Sequence, residues 1–276
     1  MNRIDRDNQK KIMVQILKYF DNICRENNID YSLIGGSLIG AIRHKGIIPW
    51  DDDIDVILTY DNYKKIIEIL KKNNNTKYKI LDSETCSDYF LPFPKLIDTS
   101  TYVEEPTFLH QIKEYGIFID IFCYFNIPNE NKLQYHTVRK IKFLNGLLSR
   151  KKFKLKEVGL RKYIMNLFRN IFTTIIGKKR LINKLTNLYE RCLTSDSEYV
   201  ISNWPIYPDS KEIQYSKNIT KYIDASFENI DVKIFQNYDE ILKTTFGDYM
   251  KLPPKEKRIS HGLIAYWRDD YYEEKK

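Results

Sequence analysis

Cysteine, glycine, proline and long apolar runs are all scarce in this chain of 276 residues. None of the four cysteines stands in Cys-x-x-Cys spacing, which argues against a zinc site and against a disulfide framework. No uncharged apolar run approaches the roughly 20 residues of a membrane-spanning helix. The polar residues 1–7 contain no apolar signal-peptide core. We therefore expect a protein of the reducing cytoplasm.

The chain does have two carboxylates in an alternating pattern, Asp53 and Asp55. The neighbouring Ile54, Val56 and Ile57 are β-branched and predict a strand. Side chains alternate along a strand, so both aspartates share one face, roughly 6.6 Å apart at a rise of about 3.3 Å per residue. Two carboxylates at that spacing suit one hard cation or a pair of ions, and oxygen ligands favour Mg²⁺ or Mn²⁺ over Zn²⁺. The alternative is an acidic turn ahead of an ordinary strand.

A glycine-rich turn lies upstream of these acids. Residues 31–34 predict a strand, after which Gly35 and Gly36 permit a tight turn and close backbone approach. Ser37 is a suitable N-cap for a helix over residues 38–44. The free N–H groups at such a helix start attract anions, so we predict a phosphate site at Gly36 and Ser37. A plain turn is the alternative, and the acids on the next strand favour the phosphate site.

These two elements together resemble a known family. Gly36 and Ser37, followed by residues 53–56, resemble the nucleotidyltransferase signature of the DNA polymerase beta superfamily. A longer match over residues 36–46 and 48–55 resembles the LicD family of phosphorylcholine transferases.

A second motif near the C-terminus is similar to the closing motif of that family. It comprises residues 246–254 together with Lys257, Arg258 and His261. The substrate-binding residues that the resemblance implies here are Tyr249, Lys251, Arg258 and His261. A purely structural latch is the alternative.

The resemblance also implies a third carboxylate on a neighbouring strand. Asp120 fits, because it is the one acid inside the apolar run 116–122, and a charge there is costly unless it is paired or metal-bound. A buried aspartate that caps a nearby loop is the alternative. Lys95 would supply a cation to the donor phosphates, or else is a solvated lysine on an edge strand.

The activity that the resemblance implies is transfer of phosphocholine from CDP-choline to a sugar hydroxyl of a lipid-linked glycan precursor such as teichoic acid, with release of CMP. Three carboxylates would hold Mg²⁺ or Mn²⁺ at the diphosphate: Asp53, Asp55 and Asp120. Arg43 or Lys95 would offset negative charge there. Asp120 or His44 would take the hydroxyl proton, although a histidine at a helix end is often structural. CDP-ribitol or CDP-glycerol as donor, or nucleotidyl transfer, stays open.

The predicted fold class is α+β, with a nucleotidyltransferase-like mixed sheet core, flanking helices and a helical basic insertion. Residues 1–127 would form the catalytic core. Residues 128–198 would form a basic amphipathic helical segment, and residues 199–276 would complete the same domain.

Positive charge is concentrated in residues 150–180. This stretch holds eleven Lys or Arg residues and one acid, a net charge of +10 against +8 for the whole chain. Apolar residues recur in it at helical spacing, which is typical of a helix that lies on an anionic membrane and equally of a core helix with a solvated basic side.

A non-enzymatic binding protein is the second function class. The basic segment could bind a membrane or a nucleic acid, and the 21 tyrosines could stack on nucleobases. No recognised nucleic-acid motif accompanies them, so we expect no nucleic-acid partner. The glycine turn, the spaced acids and both family motifs favour the enzyme.

Overall fold

The computed structural model describes residues 2–106, 108, 110–149, 155–193, 197–207, 209–260 and 262–268. Helices and mixed sheets combine in the predicted α+β arrangement. The α-helices of this part of the chain are α1 (Arg6–Glu26), α2 (Gly35–Ile39), α3 (Tyr60–Lys72), α4 (Asn131–Leu148), α5 (Leu155–Ile176), α6 (Lys178–Leu193), α7 (Asp209–Glu212) and α8 (Tyr238–Phe246). The strands are β1 (Arg3–Ile4), β2 (Ser32–Leu33), β3 (Asp55–Thr59), β4 (Tyr78–Leu81), β5 (Lys95–Asp98), β6 (Thr101–Glu104), β7 (Phe118–Ile127), β8 (Tyr199–Ser202), β9 (Gln214–Tyr215), β10 (Tyr222–Phe227), β11 (Ile230–Phe235) and β12 (Ile264–Trp267).

The central sheet is organised around β7, a strand of ten residues. Its first half lies between β3, which runs parallel to it, and β5, which runs antiparallel. The outer neighbours are β2 beside β3 and β4 beside β5. The second half of β7 pairs with β8, and β9 follows on the far side of β8. Because β7 contacts three strands, its side chains have the largest share of sheet neighbours, which explains its nearly continuous burial.

Two hydrophobic clusters form the core. The larger one joins α1, α3 and the central sheet, and it includes Phe20 and Tyr31, both fully buried. The smaller one packs α4 and α6 onto the second half of β7 through Phe125, Ile127 and Ile201. The segment predicted to be helical is therefore α4, α5 and α6, and two of these helices cover the end of the sheet.

The burial of α5 differs from that of an ordinary core helix. Its large apolar side chains are exposed: Leu160, Tyr163, Ile164, Met165, Leu167, Phe168, Ile171, Phe172 and Ile175. The core-helix interpretation of this stretch is therefore wrong for the described residues. Within those residues, no helix is both long enough and apolar enough to cross a membrane.

Two small sheets complete the fold. The β1, β12 and β6 strands form an antiparallel sheet, so residues near the two ends of the chain pair directly. The β10–β11 hairpin is the second, and it packs against β2 and α1 through β11. The short strands β1, β6 and β12 show no strong alternation in the sequence and were not predicted.

Candidate active site

A row of three charged residues crosses the central sheet. Asp55 on β3 pairs in register with Asp120 on β7, and Asp120 pairs in register with Lys95 on β5. Asp53 was predicted on the strand, which is wrong, because β3 begins at Asp55. The N–H of Asp120 nevertheless donates to the carbonyl of Ile54 at 2.8 Å, so β7 fixes the backbone between the two acids.

Three carboxylates converge at this row. One oxygen each from Asp53, Asp55 and Asp120 lies within 4.8 Å of the others. Burial, followed by the charges of Asp53 and Asp120, raises the pKa of Asp55 well above its ordinary value. Burial also raises the pKa of Asp120 to about 6, although Lys95 acts in the opposite direction.

Lys95 is buried and forms an ion pair with Asp120. Its ammonium lies 3.5 Å from the centroid of the Phe118 ring, a cation–π contact. The interpretation of Lys95 as a solvated lysine on an edge strand is therefore wrong, since β5 has neighbours on both sides. One lysine faces three acids, so the cluster keeps an excess of negative charge.

The donor set of this cluster fits a hard divalent cation. All three ligands are carboxylates, and their mutual repulsion appears in the raised pKa of Asp55. A bound cation would relieve that repulsion, and oxygen-only ligands suit Mg²⁺ or Mn²⁺. The geometry of the residues present is thus compatible with the predicted metal.

The glycine turn differs from the prediction at Ser37. Helix α2 begins at Gly35, follows Ile34 without a side-chain cap and continues as a π-helical turn over Gly40–His44. Ser37 lies buried within the helix, where its Oγ accepts a hydrogen bond of 2.9 Å from the N–H of Asp55. The hydroxyl therefore ties the helix to β3 and does not cap it.

Asp51 lies against the same helix start. A Cβ added to Gly36 would lie 2.3 Å from Oδ2 of Asp51, so any larger residue there would displace that carboxylate from its present position. Asp51 also contributes to the raised pKa of Asp55. Asp51 is therefore a fourth acid near the site, and it was not among the predicted site residues although it stands in the run Asp51-Asp52-Asp53.

Asp52 holds the C-terminal segment. Its Oδ2 accepts hydrogen bonds from Oγ of Ser260 at 2.7 Å and from the N–H groups of Gly262 at 3.0 Å and Leu263 at 3.4 Å. The first acidic motif and the C-terminal motif are therefore joined by a buried carboxylate. His261 lies outside the described residues.

Arg43 and Tyr249 join the remaining parts of the two motifs. Arg43 donates to the carbonyl oxygens of Tyr249 at 2.5 Å and Lys251 at 3.3 Å. The hydroxyl of Tyr249 donates to Asp239 at 2.8 Å. These contacts are those expected of a latch, and Lys251 itself is exposed.

Trp50 brings Arg258 and His44 together. Arg258 donates to the carbonyl of Pro253 at 2.8 Å, and its guanidinium lies 5.0 Å from the centroid of the Trp50 ring. The His44 ring meets Trp50 edge-on at 5.9 Å between centroids. Burial and the neighbouring Arg43 lower the pKa of His44, which keeps its imidazole neutral near pH 7.

Two pockets flank the acid cluster. The first, about 140 Å³, is lined by three acids (Asp53, Glu105 and Asp120), one lysine (Lys95) and four aromatic side chains (Phe93, Phe108, Phe118 and Trp204). The second, about 110 Å³, reaches Asp55 and contains aromatic side chains with several hydrogen-bonding groups. Trp204 lines both. We call the first the aromatic–acidic pocket and the second the Asp55 pocket.

Known proteins share these elements. Residues 28–143 match the family described as LicD/FKTN/FKRP, nucleotidyltransferase domain. Over 270 residues, 95% of this chain and 98% of the relative, the chain is 30% identical to Lipopolysaccharide cholinephosphotransferase LicD of Haemophilus influenzae. The chain belongs to the LicD family. The LicD assignment confirms the resemblance and makes the protein a member of a transferase family.

Two further relatives of this LicD protein are similar over shorter stretches. The chain is 31% identical to protein RT0683 of Rickettsia typhi over 149 residues, which cover 51% of this chain and 42% of that protein. It is 31% identical to protein RP689 of Rickettsia prowazekii over 86 residues, which cover 29% and 32%.

Sequence reasoning missed several residues around the LicD site. Glu105, Phe108 and Trp204 line pockets at the acid cluster, yet they carry no motif, and Trp204 lies far along the chain from the other two. Glu228 was also missed: it accepts a hydrogen bond of 2.9 Å from the N–H of Ile47 and so fixes the loop after the π-helical turn. Only Asp51 and Asp52 carried a signal, as acids adjacent to a predicted ligand.

Proposed function

We propose that the chain transfers phosphocholine from CDP-choline to a sugar hydroxyl of a lipid-linked cell-surface glycan on the cytoplasmic side of the membrane, releasing CMP. The observation that carries the choice of donor is the aromatic–acidic pocket beside the acid cluster. The Haemophilus relative is a lipopolysaccharide cholinephosphotransferase, which supports the same reaction class.

The aromatic–acidic pocket combines aromatic faces with a net negative charge, because its three acids outnumber Lys95, whose ammonium lies over the Phe118 ring. A trimethylammonium group cannot donate a conventional hydrogen bond, so it is recognised by aromatic faces and by negative charge. Trp204 meets Phe93 edge to face, with 5.1 Å between ring centroids, and Glu105 is held by the Tyr115 hydroxyl at 3.2 Å. Ribitol and glycerol offer hydroxyl groups and no charge, so rings would recognise them poorly.

The Asp55 pocket suits the nucleoside half of the donor. It presents an amide at Gln214, a hydroxyl at Thr245 and rings at Tyr207 and Phe246. Gln214 Nε2 lies 3.3 Å from Thr245 Oγ1, so both groups are already oriented. A cytosine ring needs hydrogen-bonding groups at its edge and an apolar surface at its face, and this pocket offers both.

The diphosphate would lie between the two pockets. Asp53, Asp55 and Asp120 would hold Mg²⁺ or Mn²⁺ there, and a metal ion in that position supplies Lewis-acid stabilisation of phosphate charge. Lys95 holds Asp120 ionised and in place. Backbone N–H groups at Gly35 and Gly36 begin a helix near the same point, which supports a phosphate contact there.

The acceptor hydroxyl must lose a proton as it attacks phosphorus. Asp120 lines the aromatic–acidic pocket, and its raised pKa of about 6 favours proton acceptance. Among the described residues, His44 lines neither the aromatic–acidic pocket nor the Asp55 pocket, and its Nδ1 accepts from Arg43 Nε at 3.4 Å. We therefore assign proton acceptance to Asp120 and a structural role to His44.

The test compares CMP release from CDP-choline, CDP-ribitol and CDP-glycerol, with lipopolysaccharide-type and teichoic-acid-type acceptors. We expect turnover with CDP-choline. Glu105→Gln and Phe108→Leu should raise its KM several-fold, because cation–π and charge contacts each contribute about 1 kcal/mol. A matched control is Glu68→Gln, which changes an exposed acid on α3. Turnover only with CDP-ribitol, or an unchanged KM in both pocket variants, would overturn the choline assignment.

A further inference from the structure

Helix α5 is amphipathic, but its polar side faces the protein and its apolar side faces outward, the opposite of an ordinary surface helix. Most of the side chains that turn toward the protein are polar, namely Asn166, Arg169, Asn170 and Thr173, and only Ile176 at the end of the helix packs against the smaller cluster among the described residues. Thr173 is fully buried and donates to the carbonyl of Leu147 on α4 at 2.8 Å. Arg169 donates to the carbonyl of Ser149 at 3.1 Å. Helix α5 is therefore attached to α4 by hydrogen bonds along its polar side.

The outward side of α5 is apolar. Exposed fractions there include 66% for Phe168, 61% for Met165 and 75% for Ile175. Single exposed apolar residues are ordinary, but nine large ones on one helix form a continuous face, which we call the α5 face. Water-soluble proteins rarely leave such a patch uncovered, because each side chain loses the free energy of burial.

Charge around the α5 face indicates what covers it. Helices α5 and α6 contain nine Lys or Arg residues and only two acids, Glu157 and Glu190. Exposed cations on these helices include Arg161, Lys179 and Arg180. A second copy of the chain would bring these cations against their own counterparts, which costs free energy, whereas an anionic lipid surface would attract them.

We propose that the α5 face binds an anionic lipid bilayer, with its apolar side chains inserted shallowly between headgroups and the helix lying in the membrane plane. The exposed Arg161, Lys179 and Arg180 would then lie at headgroup level, within a Debye length of the surface. This proposal rests on exposure and charge and does not depend on the proposed reaction.

The α5 face is also connected to the aromatic–acidic pocket. Ser149, whose carbonyl accepts from Arg169, lines that pocket. Lys178, at the start of α6, donates to the carbonyl oxygens of Ser87 and Tyr89, close in sequence to Leu91 of the same pocket. If the proposed function holds, bilayer binding would bring the pocket to a lipid-linked acceptor.

Vesicle flotation of the full chain tests the α5 face. We expect binding to vesicles of phosphatidylcholine with phosphatidylglycerol, weak binding to phosphatidylcholine alone, and release by salt. Ile175→Gln should weaken binding several-fold, whereas Ile259→Gln, a residue with the same 75% exposure on another segment, should not. Phe168→Gln, Ile171→Gln and Ile175→Gln together should weaken it about tenfold or more, with an unchanged melting temperature.

Charge-reversal variants test whether binding depends on the cations beside the α5 face or only on the net charge of the protein. Arg161→Glu, Lys179→Glu and Arg180→Glu should weaken binding at least about tenfold. The control is Lys11→Glu, Lys18→Glu and Lys65→Glu, three exposed residues of α1 and α3, which change the net charge by the same amount. This control should bind anionic vesicles nearly as well as the parent protein does. Lys178 is left intact because it holds backbone carbonyls.

Each contrary result overturns the proposal. Equal binding to neutral and anionic vesicles would remove the role of charge, and no binding would leave the face without a lipid partner. A concentration-dependent dimer that Phe168→Gln dissociates would identify a second copy as the occupant. CMP release on a soluble acceptor, measured in parallel, should persist in every α5-face variant. Failure of the proposed reaction would therefore be distinguishable from failure of membrane binding.

Discussion

Asp55 and Asp120 lie directly opposite each other on the parallel strands β3 and β7. Lys95 extends the row on β5, where it forms an ion pair with Asp120. Strand pairing therefore fixes the positions of two acids and their cation, so these groups need little rearrangement to receive a ligand. The site lies at the structural centre of the sheet, and four predictions follow from its contacts.

Removing one carboxylate should abolish metal binding and turnover together. Asp55→Asn and Asp120→Asn should each lower kcat at least about 100-fold, because a metal ion contributes several kcal/mol of charge stabilisation at a phosphate. Calorimetric titration with Mg²⁺ should show no binding to either variant. EDTA should inactivate the parent protein, and added Mg²⁺ should restore its activity.

The control for that experiment is Asp61→Asn, which changes an exposed acid in the first turn of α3. It should keep metal affinity and turnover. Full activity in EDTA, or normal kcat in Asp55→Asn, would exclude a metal at the three carboxylates.

The stability of the metal-free protein should fall as pH rises. The folded pKa of Asp55 is raised well above 3.8 and that of Asp120 is raised to about 6, so the folded state binds more protons than the unfolded state over this range. Stability from these groups is present below about pH 4 and is lost as pH rises through the folded pKa values. Mg²⁺ should restore more stability at about pH 8 than at about pH 5, because it binds the carboxylate form.

Urea denaturation at both pH values, with and without Mg²⁺, checks this dependence. Asp55→Asn should flatten the decline with pH and should no longer respond to Mg²⁺. A metal-free parent protein that is more stable at about pH 8 than at about pH 5, with the same behaviour in Asp55→Asn, would show that these carboxylates do not set the pH dependence.

Local sequence patterns were sufficient for the α+β class and for β3, whereas the third acid on β7 was indicated by the family resemblance. These elements depend on β-branched residues and alternation, which are local properties. The N-cap position of Ser37 was predicted incorrectly, because the bond from the Asp55 N–H forms only when α2 packs on β3. Glu105, Phe108 and Trp204 could not be found, because distant segments bring them together. The orientation of α5 was also undetermined, since a 3.6-residue period shows that a helix has two sides without indicating which side faces the protein.

Two glycines in the first motif should respond differently to alanine. At Gly36 the new Cβ would meet only the side-chain oxygen of Asp51, which can rotate away. Gly36→Ala should therefore keep stability and lower turnover about tenfold or more by displacing a carboxylate at the site. At Gly40 the Cβ would lie 2.4 Å from the backbone carbonyl oxygen of Gly46, so Gly40→Ala should destabilise the fold by about 1–3 kcal/mol. Equal losses of stability in both variants would contradict this distinction.

The C-terminal segment should contain both latch residues and a substrate-binding residue. Asp52→Asn weakens three hydrogen bonds, from Ser260, Gly262 and Leu263, and Tyr249→Phe removes the bond to Asp239. Each should lower the free energy of unfolding by about 1–3 kcal/mol.

Arg258→Ala should instead raise the KM for donor or acceptor far more than it lowers the melting temperature, because its guanidinium lies on the Trp50 ring and keeps a charge available to a phosphate. Arg258→Lys is the matched control, since it retains the charge and should recover part of the loss. A lowered melting temperature with unchanged KM in the folded Arg258→Ala protein would make Arg258 part of the latch.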